Sequence, residues 1–124
     1  MKRTVSTSKA PAAIGPYNQA IEAGNTLYIA GQLGIDPVTG KLAEGIVEQT
    51  LQCLKNLGAI LEAAGYKYSD VVKSTCLLKE ITDFKAMNEV YSTIYTDSFP
   101  ARVTYAVKDL PMGALVEIDA IAAK

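Results

Sequence analysis

The sequence contains no histidine, and that absence restricts its chemistry before any motif is read. Histidine is the usual proton carrier near neutral pH, so acid–base work here falls to a carboxylate or a tyrosine. Transition-metal ligation loses its commonest donor as well. Cysteine is scarce: Cys53 and Cys76 are the only two, without CxxC spacing. Neither a disulfide framework nor a thiolate metal site is indicated. Lying in a predicted helix and a predicted strand, the two read as reduced core residues of an intracellular protein. Twelve basic against thirteen acidic residues give a formal net charge of -1, so nothing in the charge balance points to nucleic acid. No apolar run approaches the ~20 residues of a membrane span. The opening MKRTVSTSKA carries Lys2 and Arg3 with no apolar core behind them, which is not a secretory signal. A cytoplasmic setting is expected, and the Ser-rich, basic start leaves an organellar one open.

What is present describes a single domain spanning residues 1–124. At 49% hydrophobic and 20% charged, the chain is globular, and its length allows burial of roughly two-thirds of the unfolded surface. Thr4 to Ser6 could form a first strand. Ala20–Glu22 and Thr26–Ala30 read as short strands about the turn Ala23-Gly24-Asn25, and Asp36 to Gly40 as a loop. A helix is predicted from about Ile46 to Ala64, with Val47, Leu51, Leu54, Leu57 and Leu61 on one face and Gly65 as its stop. Val71–Leu78 reads as a strand. A second helix starts near Thr82 or Asp83, either of which can cap it, and buries Phe84, Met87, Tyr91 and Ile94. Pro100 closes the connection to two final strands. The order predicts an α+β fold, a mixed sheet of about six strands with two helices on one face.

The last quarter, PARVTYAVKDLPMGALVEIDAIAAK, puts charges inside apolar strand-like runs. Side chains alternate faces along a strand, so Arg102 and Thr104 share one face of their strand, opposite Val103 and Tyr105. In the final run Val116, Ile118 and Ala120 oppose Glu117 and Asp119. Two helices cover only one face of a sheet. Arg102, Thr104, Glu117 and Asp119 are therefore expected together on the uncovered face, where self-association would cover them and where a charge must be solvated, paired or functional.

Four segments in order, GPYNQA (Gly15 to Ala20), YIAGQLGIDPVTG (Tyr28 to Gly40), PAR (Pro100 to Arg102) and LPMGALVEIDAIA (Leu110 to Ala122), resemble the YjgF/YER057c/UK114 family, the reactive-intermediate deaminases (RidA). The resemblance runs from Gly15 to Ala122. It implies a chorismate-mutase-like fold assembled as a homotrimer, sheets facing inward, with sites in the clefts between subunits. The implied activity is that of a hydrolase, a 2-iminobutanoate/2-iminopropanoate deaminase. It would convert small 2-imino acids, released with their enamine tautomers by pyridoxal-phosphate enzymes, into 2-oxo acids and ammonia, with no metal or cofactor and with neither nucleic acid nor membrane as partner. The alternative is a non-enzymatic trimer that binds 2-oxo acids or other proteins.

The resemblance also implies roles for residues. Arg102 would hold the substrate carboxylate through its planar fork; its structural alternative is an ion pair with Glu117 or Asp119. Glu117 would activate water and pass a proton to the departing nitrogen, or else simply neutralise Arg102. Asp119 reads as structural or solvated. Tyr17 would close the pocket or hydrogen-bond to substrate or water, although tyrosine also packs well at subunit contacts. Gly31 would bring a backbone carbonyl close to the ligand, and Asn88 matches a position near the site. Many members carry cysteine two residues after the arginine, where this chain has Thr104, so a thiol nucleophile there is impossible. Thr104 can keep a backbone N–H contact to the carboxylate. Cys53 and Cys76 are expected elsewhere in the fold.

Overall fold

Helix α1 (Gly45–Ala63) forms where the leucine spacing places it and stops at a Schellman motif. Tyr66 N–H donates to Leu61 O at 2.9 Å and Gly65 N–H to Glu62 O at 3.0 Å, while Gly65 takes a φ of +82°, which glycine adopts without a Cβ penalty. The other elements of the computed structural model, which describes residues 1–124, are β1 (Lys2–Val5), β2 (Ala20–Ala23), β3 (Thr26–Leu33), β4 (Val71–Leu78), α2 (Phe84–Ile94), β5 (Ala101–Ala106) and β6 (Val116–Ala123). A short 3-10 turn, Ile81–Asp83, precedes α2, and Asp83 occupies the N-cap position without a side-chain cap bond. No helix is long and apolar enough to cross a membrane.

The strands make one six-stranded sheet in the order β1-β2-β3-β6-β4-β5. β4 and β5 are parallel and every other pair is antiparallel; the crossover that a parallel pair requires is α2. Both helices lie on one face. Val116, Ile118, Ala120 and Ala122 of β6 turn to that side and are buried in one core with Leu54, Leu57 and Leu61 of α1 and Met87 of α2. β3 runs three residues beyond its predicted end, through a bulge. Its register against β6 shifts between Ile29 and Gln32, so Ala30 and Gly31 share the space of one residue.

The inward face of α1 departs from the leucine stripe at its start. Val47 is 49% exposed, whereas Gln49, two positions and about 200° further round the helix, is buried. Gln49 wins the inward position because its Oε1 accepts the Leu115 N–H at 2.8 Å. Asn56 is likewise wholly buried. Its Nδ2 donates to Leu33 O at 3.1 Å and Ile35 O at 3.0 Å, tying the end of β3 to α1. Replacing Asn56 by alanine strands these buried carbonyls, and unmade bonds of this kind cost roughly 1–3 kcal/mol each. Asn56→Ala is expected to lower the unfolding free energy by about 2–4 kcal/mol in urea titration.

Candidate active site

The cross-strand register fixes where each candidate residue points. On β4, Ser74 pairs with Arg102 and Cys76 with Thr104, while Cys76 pairs with Ile118 and Leu77 with Glu117. Directly paired residues share a face. Arg102 and Thr104 therefore point to the helix-covered side with Ile118, and Glu117 points to the open side with Leu77. The expectation that Arg102, Thr104, Glu117 and Asp119 share the uncovered face is thus wrong for Arg102 and Thr104. Alternation within each strand holds, but the pairing across β4 puts the two runs out of phase. An ion pair between Arg102 and Glu117 inside one chain is excluded by the same geometry. The ion pairs are instead Arg3 with Glu22, at 2.7 Å, and Lys79 with Asp109, at 3.0 Å.

Arg102 emerges at the rim of the helix layer, where β5 is an edge strand. Its guanidinium carbon stands 4.8 Å from the ring centre of Tyr91 and 5.6 Å from that of Phe84, both on α2. Aromatic faces hold a cation without neutralising it. A groove of about 700 Å³ opens there, lined by Phe84, Asn88, Tyr91, Phe99, Pro100 and Arg102 among others. Asn88 thus joins Arg102, as the resemblance implied. Phe84, read from its spacing as a core residue, is 37% exposed and serves as one wall of the arginine's seat.

The second group assembles on the open side. A cleft of about 750 Å³ is lined by Tyr17, Gly31 and Glu117 together with Pro11, Ile14, Leu33, Ile35 and Met112. Glu117 meets no cation of its own chain there. Partial burial, and secondarily the neighbouring Asp119 carboxylate, push its pKa above the usual carboxylate value. Asp119 itself is structural, its Oδ1 accepting the Thr75 N–H at 2.8 Å. Gly31 lies at the β3 bulge directly against Glu117. A Cβ on Gly31 would sit 2.9 Å from the Glu117 carboxyl carbon and closer still to Oε2, so the carboxylate occupies the space that a side chain would take. Tyr17, half exposed, is carried by a loop that buried Gln19 pins. Gln19 Oε1 accepts the Thr7 N–H at 2.7 Å, and its Nε2 donates to Pro11 O at 2.7 Å.

Cys76 also lies elsewhere than expected. It is the register partner of Thr104, one strand away on the same face, beside the position where many relatives carry their cysteine. It is wholly buried, and burial pushes its thiol pKa up. Burial raises that of Cys53 further still. Neither is a thiolate nucleophile. The Thr104 hydroxyl is buried and without a hydrogen-bond partner, and the arginine groove is lined by other residues.

An α+β sheet-and-helix protein that carries Glu117 without a cation in one cleft and an arginine in another defines the class. The Endoribonuclease L-PSP family model matches residues 7–124, and the chain belongs to that family, which includes the YjgF/RidA proteins. The 2-iminobutanoate/2-iminopropanoate deaminase of Mus musculus is 52% identical over 98% of this chain and 91% of its own length. A RutC family protein of Pyrococcus horikoshii is 54% identical over all of this chain and 99% of its own. The crystal structure of RidA from an Antarctic Psychrobacter superposes with a TM-score of 0.96 at 46% identity, covering 98% of this chain and 99% of that one.

The contact between Gly31 and Glu117 is directly testable. Gly31→Ala forces the carboxylate off its seat, whereas Gly31 itself is exposed and lies at a bulge that tolerates adjustment. The expected result is a fall in imine-hydrolysis kcat/KM of roughly tenfold or more, as misplacement of a catalytic group by about 1 Å can cost a hundredfold. Calorimetry should show little change in Tm.

Proposed function

We propose that this chain hydrolyses 2-iminobutanoate and 2-iminopropanoate, with their enamine tautomers, to 2-oxo acids and ammonia, in a site completed between the subunits of a homotrimer. One observation carries the reading. The Glu117 carboxylate and the Arg102 guanidinium that such a reaction needs lie in separate clefts on opposite sides of one sheet, and no cation lines the Glu117 cleft. Stacking the open sheet face of one subunit against the β5 edge of the next would bring Glu117, Gly31 and Tyr17 opposite Arg102, Asn88 and Thr104. The substrate class follows from relatives named for it at about half identity. The setting proposed is cytoplasmic.

Arg102 then binds the substrate carboxylate by two parallel charge-assisted hydrogen bonds. Thr104 contributes its main chain. Val107 N–H donates to Leu78 O at 2.8 Å toward β4, so by alternation the Arg102 and Thr104 N–H groups point to the free edge of β5, beside the guanidinium. Glu117, ionised, takes a proton from water as the oxygen bonds to the imine carbon. It delivers that proton to nitrogen, giving a carbinolamine. Glu117 next relays the hydroxyl proton to the nitrogen, and as C=O forms the C–N bond breaks, ammonia leaves and the carboxylate is regenerated. The Gly31 carbonyl and the Tyr17 hydroxyl orient the water and the nitrogen.

The test generates 2-iminobutanoate with a threonine dehydratase, traps the residual imine with semicarbazide, and compares keto-acid formation with and without this protein. Acceleration is expected. Arg102→Ala should lose at least about thirtyfold in kcat/KM through the missing carboxylate partner, and Glu117→Gln roughly a hundredfold or more in kcat while still binding 2-oxobutanoate. The base form of Glu117 is gained as pH rises through its raised pKa. The acid limb of kcat/KM should therefore lie above the usual carboxylate range and vanish in Glu117→Gln. No acceleration by the wild type, or an Arg102→Ala rate equal to it, contradicts the reading. Binding of 2-oxo acids without turnover would assign the trimer to ligand binding instead.

A further inference from the structure

Within one subunit, the Glu117 cleft extends well beyond the carboxylate. A molecule of 2-iminobutanoate has a carboxylate, an imine and only two further carbons, while the cleft measures about 750 Å³. Away from Glu117 one stretch of its wall is apolar, made by Ile14, Leu33, Ile35, Pro37, Pro111 and Met112, while Asp36, Gln19 and Gln32 lie in the remainder. Met112 is the unusual member. Its backbone is left-handed, with φ 60° and ψ 18°, a conformation unfavourable for any residue but glycine and one that concentrates at functional sites. Its side chain is 60% exposed, so core packing does not account for it. The segment is held in that shape from both sides. Ala114 N–H donates to Pro111 O at 3.1 Å, Lys79 N–H to Leu115 O at 3.0 Å, and Leu115 N–H to the Gln49 side chain at 2.8 Å.

We propose that Met112 is the receiving surface for the substrate's side chain, and that the site favours 2-imino acids with aliphatic chains longer than that of 2-iminobutanoate. This rests on the reading above, which puts the imine carbon at Glu117. With the carboxylate drawn toward Arg102 and water held at Glu117, the remaining substituent on the imine carbon faces the apolar wall. Methionine suits chains of varied length, being unbranched, flexible and polarisable. Met112 lines the cleft from this left-handed turn.

The experiment uses the unbranched series from 2-iminopropanoate to 2-iminohexanoate, made in place by an amino-acid oxidase with catalase present. In parallel, calorimetry measures binding of the corresponding 2-oxo acids, which needs no turnover. Wild type should gain about fourfold in kcat/KM, and in affinity, per added methylene, the value of one buried CH₂. Met112→Gln, similar in size but polar, should flatten both slopes. Met112→Gly should flatten them too while Tm holds or rises, because glycine relaxes the left-handed backbone; a merely structural methionine would alter Tm and leave the slopes alone. A flat wild-type series, with 2-iminobutanoate still hydrolysed, overturns this proposal and leaves the reaction standing. Slopes that survive both substitutions overturn it as well, as does dissociation of the assembly in Met112→Gln, which would assign the residue to a subunit contact. Loss of all turnover with the oxo-acid slope intact contradicts the hydrolase reading and supports the side-chain site.

Discussion

Register across β4 governs the rest of the molecule. That strand pairs in parallel with β5 on one side and antiparallel with β6 on the other, and the two pairings put Arg102 and Glu117 on opposite faces of the sheet. A sheet is a barrier that side chains do not cross. Charges that would have cancelled within one chain are kept apart, and each stays available for a partner from outside it. The aromatic seat of Arg102 and the partly dry, anionic setting of Glu117 are both consequences of this separation.

The two settings are complementary in their chemistry. Phe84 and Tyr91 hold the guanidinium by its faces, leaving its hydrogen-bonding edge free for a carboxylate. Glu117 is held beside a glycine, and partial burial, with the Asp119 carboxylate nearby, raises its proton affinity. That rise suits the proposed role of Glu117 in taking a proton from water. Had Arg102 stood beside it in the empty chain, its pKa would have been drawn down. The homotrimer proposed above brings the two together only where substrate sits between them.

Most of the element order was legible because periodicity and punctuation are local. Val71–Leu78 was read to the residue, and Gly65 ended α1 as its composition indicated. Alternation within β5 and within β6 was legible for the same reason. Their relative phase was not, since it depends on pairings between residues far apart in the chain, such as Cys76 with Ile118 and Ser74 with Arg102. The placing of Cys76 beside Thr104 was hidden because it too is a pairing between distant strands. Val47 was misplaced because a hydrogen bond donated by the Leu115 N–H to the Gln49 side chain, not hydrophobicity, turned α1. The candidate site residues were found through the resemblance and then sorted by the structure into two groups. Phe84 and Met112 carried no local signal that separated a wall of a cleft from a piece of core.

Subunit complementation tests the central claim most directly. Arg102→Ala and Glu117→Gln proteins, each inactive alone, are unfolded together in equal amounts and refolded. If each site takes Glu117 from one subunit and Arg102 from the next, every mixed trimer contains one intact site, and random mixing restores about a quarter of wild-type activity. If both residues serve from the same chain, no combination of the two restores a complete site, and the mixture will stay as inactive as its parents.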